Sequence, residues 1–190
     1  MKILIAEDEA NIATLYRIAL ESRGHDVTVT NDGEECIKKY TRSIAEPPEH
    51  AHSMLPPYDT VILDYRMPKM DGMDVAKQIL GIQPKQRIVF ASAFVKETLV
   101  ESIKELDQIV ELLQKPFEID VLVDTIEDKT IYVQLEKLKV NIKHLKDWNP
   151  THAQVRDLLD GLLRLRKTGL DIDSISAASK NRSRISQSTA

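Results

Sequence analysis

The sequence has little cysteine and no long apolar segment. Its single cysteine, Cys36, excludes an internal disulfide framework and favours a reducing compartment. The longest apolar runs are a few residues, far short of the roughly 20 needed to cross a bilayer. The first acidic residue, Glu7, follows only four apolar residues, which is not the pattern of a signal peptide. These absences predict a cytoplasmic protein that does not engage a membrane.

The charge is modest in total but unevenly distributed along the chain. The 190 residues carry a net charge of −4, and they suffice for one ordinary domain with a small appendage. Residues 1–130 hold 15 Lys and Arg against 24 Asp and Glu, whereas residues 131–190 hold 11 against 6. An acidic body with a basic end indicates either two parts with different roles or a solvated basic helix face.

Short apolar runs alternate with longer amphipathic stretches through the first 130 residues, which is typical of a parallel α/β sheet. The apolar runs do not alternate with polar residues, as expected of strands covered by helices on both faces. A Gly-rich phosphate loop is lacking, so the five units favour a flavodoxin-like doubly wound sheet of strand order 2-1-3-4-5. We predict strands at Lys2–Ala6, Asp26–Thr30, Thr60–Leu63, Arg87–Ala91 and Ile109–Leu113, and helices near Ala10–Arg23, Gly33–Tyr40, Met73–Ile82, Lys96–Leu106 and Ile119–Lys129.

One segment interrupts this alternation inside the predicted first domain, residues 1–129. Thr41–Pro57 contains four prolines, so we predict an exposed excursion instead of a regular helix. His50 and His52 form a His-x-His pair within it. Neighbouring Cys or carboxylate partners are lacking, which favours an ordinary loop over a metal site.

A different pattern follows the first domain. Residues 130–169 are predicted to form an α-helical hairpin, because two apolar stripes flank the turn-forming Asn149-Pro150-Thr151. Residues 170–190 are rich in serine and poor in large apolar groups, which predicts a disordered tail. The first stripe consists of Ile131, Leu135, Leu138, Ile142 and Leu145, and the second of Val155, Leu158, Leu159, Leu162, Leu163 and Leu165.

Polar residues follow the predicted strands where a phosphoryl-transfer site would need them. Glu7 and Asp8 end the first strand and Asp64 the third, and these two strands are neighbours in the predicted order. Three converging carboxylates require a cation, and Mg²⁺ suits them because it binds carboxylates and phosphate oxygens. Ser92 and Lys115 follow the fourth and fifth strands. Asp64 would be the nucleophile, while Mg²⁺, Ser92 and Lys115 hold the equatorial oxygens.

The stretch Val61-Ile-Leu-Asp-Tyr-Arg-Met-Pro-Lys-Met-Asp-Gly72 resembles the phosphoacceptor motif of response-regulator receiver domains. Glu7-Asp8, Ser92-Ala93 and Lys115-Pro116-Phe117 match the other signature positions of this family in order and spacing. The resemblance covers residues 1–129. It implies a two-component response regulator, charged by a sensor histidine kinase or a phosphotransfer protein, that catalyses only its own phosphotransfer and slow dephosphorylation.

The resemblance also implies individual roles. Asp64 would be phosphorylated, and Mg²⁺ would contact Glu7 or Asp8, Asp64 and the backbone carbonyl of Arg66. Ala93 would leave room for the phosphoryl group, and Lys115-Pro116 would be a cis peptide. Three departures stand out: Leu112 occupies the usual aromatic switch position, the Thr41–Pro57 excursion is long, and Arg66 and Phe94 occupy positions that influence phosphoryl lifetime in the family.

The sequence alone leaves several downstream functions open. The leading hypothesis is a phosphorelay receiver that signals through partner binding. A DNA-binding transcriptional regulator acting through the basic extension is the alternative, less favoured because two helices are predicted where a helix-turn-helix unit normally has three. The leucine stripes favour a homodimer through residues 131–166. His144 as a phosphotransfer histidine is the least favoured, because its surroundings lack the usual motif.

Overall fold

A computed structural model describes residues 1–46, 55–93, 106, 110–128, 130–141 and 152–167. The chain divides into two compact units, Met1–Lys129 and Thr130–Ala190. None of the helices in the described ranges is long and apolar enough to span a membrane.

The first unit is a parallel α/β sheet of order β2-β1-β3-β4-β5, which confirms the predicted fold class. β1 lies between β2 and β3, with Ile5 paired to Val29 on one side and to Ile62 on the other. The predicted strands agree with the observed ones to within one residue at each end. The strands are β1 (Lys2–Ala6), β2 (Asp26–Thr30), β3 (Thr60–Leu63), β4 (Ile88–Ser92) and β5 (Val110–Gln114), and the helices of this unit are α1 (Ala10–Ser22), α2 (Gly33–Ala45), α3 (Gly72–Ile82) and α4 (Ile119–Glu127).

Two apolar cores cover the two faces of the sheet, because successive strand residues point to opposite sides. Each fully buried large apolar side chain contributes roughly 1.5–3 kcal/mol. One core joins Leu4, Ala6, Val61, Leu63, Ile88 and Phe90 to side chains of α2 and α3; the other joins Ile3, Ile5, Ile62, Val89 and Ala91 to side chains of α1 and α4. The predicted helix at Lys96–Leu106 lies outside the described residues except for Leu106, which is buried in the first core.

Helix α2 corrects the predicted start of the proline-rich excursion. It continues to Ala45, so residues 41–45 are helical and do not belong to the excursion. The first proline is Pro47, which disfavours the helical conformation only for the residue before it, and the helix ends there, with Glu46 as its C-cap. Residues 47–54, including His50 and His52, lie outside the described part of the chain.

The second unit contains two described helices, α5 (Ile131–Lys137) and α6 (His152–Lys167), which contact each other. Ile131, Leu135 and Leu138 of the first stripe are buried, as are Val155 and Leu159 of the second. These members of the stripes lie on buried faces, as their spacing predicts, whereas Leu158 is 38% exposed.

The first apolar stripe does not lie on one uninterrupted helix, because α5 ends at Lys137. Lys139 adopts a left-handed conformation with φ of 62°. Its N–H donates to the carbonyl of Glu136, and the N–H of Val140 donates to that of Leu135, which together form a Schellman C-cap. The heptad spacing did not reveal this stop because the cap uses a lysine where glycine or asparagine is usual. Ile142, His144, Leu145 and residues 170–190 lie outside the described residues.

Candidate phosphoacceptor site

The carboxyl ends of β1 and β3 bring three carboxylates together. Glu7 and Asp64 each follow directly on a strand, and the N–H of Asp64 donates to the carbonyl of Ala6 at 2.9 Å, which holds the two strand ends in register. Glu7, Asp8 and Asp64 each offer one oxygen, and these oxygens all lie within 4.8 Å of one another. The crevice at this end of the sheet is therefore strongly acidic.

Lys115 enters the same crevice from the end of β5. Its N–H donates to the carbonyl of Ser92 at 2.9 Å, which anchors the backbone beside β4. Its Nζ lies 2.6 Å from Oε2 of Glu7 and 3.3 Å from Oδ2 of Asp64. The Lys115-Pro116 peptide is cis, as the family resemblance implies. The lysine thus contacts two of the three acids, and its closer partner is Glu7.

Glu7 carries the strongest electrostatic conflict of the site. Its side chain is 1% exposed, and burial raises its pKa from about 4.5 to about 7. The hydrogen bond and charge of Lys115 oppose this rise, while the charge of Asp64 adds to it. Oε1 of Glu7 is buried and has no hydrogen-bond partner among the described residues. A buried acceptor left in this state is costly unless a ligand meets it.

These groups fit a hard divalent cation. Glu7 and Asp64 are largely buried, Asp8 is exposed, and one lysine cannot balance three carboxylates. Such an oxygen-only set of a few carboxylates, one of them exposed to solvent, suits Mg²⁺. The structure places Ser92 buried at the end of β4 and Arg66 exposed in the loop two residues after Asp64. All the predicted site residues thus lie at the carboxyl ends of β1, β3, β4 and β5.

The loop after Asp64 is held tightly against the site by a glycine. A Cβ on Gly72 would lie 2.1 Å from the carbonyl oxygen of Asp64, so no other residue fits there. The N–H of Gly72 donates to the carbonyl of Tyr65 at 2.8 Å, and Asp71 caps α3 by accepting from the N–H of Asp74. The N–H of Tyr65 donates to Oδ1 of Asp64 at 2.6 Å, which orients the carboxylate.

An aromatic pair beside the crevice was not predicted from the sequence. Tyr16 of α1 stacks on Phe117, with ring centroids 5.8 Å apart. Burial raises the pKa of Tyr16, and the charges of Glu7 and Asp64 raise it further, so the phenol lies within their field. Tyr16 lies in the first predicted helix, Ala10–Arg23, but no signal in the sequence placed it near the acids.

The residues at which the chain departs from the family pattern lie in different surroundings. Leu112 is partly buried and packs against the core that contains α2 and α3, so an aliphatic side chain occupies the usual switch position. Phe94 lies outside the described residues. Arg66 is exposed at the rim of the site.

Comparisons with known proteins agree with this geometry. The chain is 40% identical over 78 residues to the alkaline phosphatase synthesis transcriptional regulatory protein PhoP of Bacillus subtilis, covering 41% of this chain and 27% of that protein. It is 27% identical over 147 residues to the regulatory protein AtoC of Escherichia coli, covering 76% and 28%. The chain thus spans only about a quarter of the length of these two relatives.

A solved structure gives the same likeness. The response regulator TrrA of Thermotoga maritima, in complex with Mg²⁺-BeF, superposes with a TM-score of 0.53 at 28% identity, covering 66% of this chain and 96% of that one. The family model of the response regulator receiver domain matches residues 3–127, well over half of the chain. The chain therefore belongs to the response regulator receiver domains of two-component systems.

Proposed function

We propose that Asp64 accepts a phosphoryl group in a Mg²⁺-dependent reaction, with a sensor histidine kinase or a phosphotransfer protein as the donor. One observation carries this proposal: oxygens of Glu7, Asp8 and Asp64 lie within 4.8 Å of one another, and Lys115 contacts two of these acids. Kinases and phosphotransfer proteins are partners with which receiver domains interact.

The chemistry follows from these positions. An oxygen of Asp64 attacks the phosphorus, and the bond from phosphorus to the donor's histidine nitrogen breaks, its electron pair staying on that nitrogen. The product is an acyl phosphate on Asp64. Water later attacks the phosphorus, which releases inorganic phosphate and restores the carboxylate. The chain thus catalyses only its own phosphorylation and slow dephosphorylation.

The neighbouring groups stabilise the charge on the transferred phosphoryl oxygens. Lys115 would exchange part of its contact with Glu7 for a phosphoryl oxygen, and the hydroxyl of Ser92 would donate to another. Glu7 or Asp8, Asp64 and the carbonyl of Arg66 would hold Mg²⁺. The ion supplies positive charge that offsets the carboxylates and the phosphoryl group.

The signal would be the new charge itself. Phosphorylation adds about −2 at the end of β3. The backbone N–H of Lys115 donates to the backbone carbonyl of Ser92, so a backbone shift at the end of either β4 or β5 would carry the other strand end with it. Partner proteins would recognise the surface that changes.

The phosphoacceptor is tested by mass spectrometry after treatment with acetyl phosphate and Mg²⁺. The wild type should gain the mass of one phosphoryl group, and Asp64→Asn should gain none. Asp74→Asn removes an exposed carboxylate of α3 and serves as the matched control, which should be labelled like the wild type. A fully labelled Asp64→Asn protein would exclude Asp64 as the acceptor.

The division of roles between Asp8 and Lys115 is tested by calorimetric titration with Mg²⁺. Asp8→Asn removes one of three converging carboxylates and should weaken binding markedly. Lys115→Ala removes a competing cation and should leave Mg²⁺ binding intact or tighter, while slowing phosphorylation. Equal loss of Mg²⁺ binding in both variants would contradict these roles.

A second candidate is DNA binding through the extension. The last turn of α6 carries Arg164, Arg166 and Lys167, and PhoP is named a transcriptional regulatory protein. Such binding would be strongly salt-dependent, because it rests on phosphate contacts. Fluorescence anisotropy of a labelled mixed-sequence duplex at low salt tests DNA binding. Replacement of the three basic residues by glutamine should abolish any binding that the wild type shows.

A further inference from the structure

Helix α6 has an outer apolar strip in addition to its buried face. His152, Val155 and Leu159 are buried. Beside them, at 100° per residue, lies a strip formed by Leu158, Gly161 and Leu162. Leu158 is 38% exposed, Gly161 is exposed and Leu162 is half-buried. We call these three residues the Gly161 strip.

The glycine in this strip has no evident role within a single copy. Glycine in the middle of a helix is less favourable than alanine, because it loses more backbone freedom on folding. A Cβ built on Gly161 meets nothing within 4 Å. Packing within the chain therefore does not require a glycine here, whereas close approach of another helix would.

The charges beside the strip are arranged symmetrically about the glycine. Asp157 and Arg164 lie on the same flank of α6, one four residues before Gly161 and the other three residues after it, and both are exposed. Seven residues correspond to roughly 10.5 Å along a helix, so the two do not pair within one copy. If two such helices cross antiparallel at Gly161, each Asp157 lies beside Arg164 of the second copy.

We propose that α6 pairs antiparallel with α6 of a second copy of this chain across the Gly161 strip. A two-fold axis satisfies both charge pairs at once, a match that an unrelated partner helix would have no reason to provide. A helix of this length spans roughly 24 Å, and a contact along one helix is smaller than a standard protein interface. The dimer is therefore weak and concentration-dependent.

Charge exchange tests this arrangement in the full-length chain by sedimentation equilibrium over a range of protein concentrations. Asp157→Arg places two arginines together, and Arg164→Asp places two aspartates together, so each should raise the dissociation constant about tenfold or more. The double variant Asp157→Arg with Arg164→Asp restores both pairs and should return the dissociation constant to within about threefold of the wild type. Asp160→Arg makes the same charge change on the same flank but about 100° around the helix from Gly161, farther from the strip than Asp157, and should have a smaller effect.

Two results would overturn the proposal. One is a wild type that stays monomeric at every concentration. The other is a double variant that associates no better than the single variants, since the pairs would then not face each other.

A second measurement addresses the close approach at Gly161. Gly161→Ala has open space in a single copy, so the thermal unfolding temperature of the dilute protein should rise. The dissociation constant should rise as well, because the added methyl group separates the helices. Unchanged or tighter association would show that no second helix crosses at this residue.

Discussion

Charged side chains are buried at both ends of the five-stranded sheet, but they are balanced at one end and unbalanced at the other. At the amino ends of the strands, Arg87 donates to Oε1 of Glu111 from Nε at 2.9 Å and from Nη2 at 2.6 Å. Its remaining donors bond the carbonyls of Thr125 and Ile126 in the last turn of α4. At the carboxyl ends, Glu7, Asp8 and Asp64 are close together, with Lys115 paired to only two of them.

This difference distinguishes buried charge that stabilises the fold from buried charge that serves the proposed site. The Arg87 guanidinium meets a carboxylate and two helix-end carbonyls, so it connects β4, β5 and α4 and needs no ligand. Burial raises the pKa of Glu7, the charge of Asp64 raises it further, and these two acids share one lysine. Unbalanced charge of this kind is expected where a cation or a phosphoryl group binds.

Replacing Arg87 is the strongest test of the statement that charge at the amino ends of the strands is balanced. Arg87→Met removes the guanidinium that pairs with buried Glu111 and that donates to two helix-end carbonyls, so it should lower the free energy of unfolding by about 3–5 kcal/mol. Urea denaturation followed by circular dichroism measures this. Arg87→Met with Glu111→Leu should recover most of the loss, because replacing both partners removes the isolated charge. A double variant as unstable as the single one would mean that the helix-end carbonyls, and not the ion pair, dominate.

Removing a charge at the acidic end should raise the free energy of unfolding at high pH instead of lowering it. The folded pKa of Glu7 is raised, so its contribution to stability is complete below pH 4.5 and is lost as the pH rises through about 7. Without Mg²⁺, the wild type should therefore lose on the order of 3 kcal/mol between pH 5 and pH 8 from this group. Glu7→Gln should lack that loss and be more stable than the wild type at pH 8.

Saturating Mg²⁺ supplies the control for Glu7. The ion should stabilise the wild type at pH 8 more than Glu7→Gln, because the variant offers one carboxylate fewer. The pH series is measured by urea denaturation with and without the ion. If Glu7→Gln loses as much stability as the wild type between pH 5 and pH 8, another group accounts for the pH dependence.

A smaller effect is expected from the neutral polar network next to Arg87. The hydroxyl of Tyr40 donates to Oε1 of Gln86 at 3.0 Å in a buried position, and Nε2 of Gln86 donates to the carbonyl of Tyr58. Tyr40→Phe should cost about 1–1.5 kcal/mol in urea denaturation. Tyr58→Phe is the matched comparison: its hydroxyl bonds that of Ser43 in a part-buried position where water can substitute, so the cost should be smaller.

The sequence predicted the acidic end well and the balanced end not at all. Glu7, Asp64, Ser92 and Lys115 each follow an apolar run, and the topology of a doubly wound sheet brings such positions to one edge. Arg87 was predicted only as the first residue of a strand. Its partners lie 24 to 39 residues away and no spacing rule links them, so the pairing depends on tertiary packing.

The ends of helices also depend on contacts that the sequence does not reveal. The end of α5 at Lys137 depends on a left-handed Lys139, a conformation that a lysine does not signal. The preference of Lys115 for Glu7 over Asp64 was also not predicted, because it follows from side-chain burial and not from chain position. Periodicity predicts which faces are buried, whereas caps and ion pairs are decided by three-dimensional contacts.

The long separation between Lys115 and Glu7, 108 residues along the chain, has a consequence for biosynthesis. A ribosome exposes the acids of β1 and β3 well before it exposes the lysine, and parallel strands pair only after their connections are complete. A nascent chain that ends before β5 therefore carries the acidic residues without the lysine that contacts them. If Asp64 is the phosphoacceptor as proposed, competence for phosphoryl transfer should appear only late in synthesis, once β5 and Lys115 have emerged.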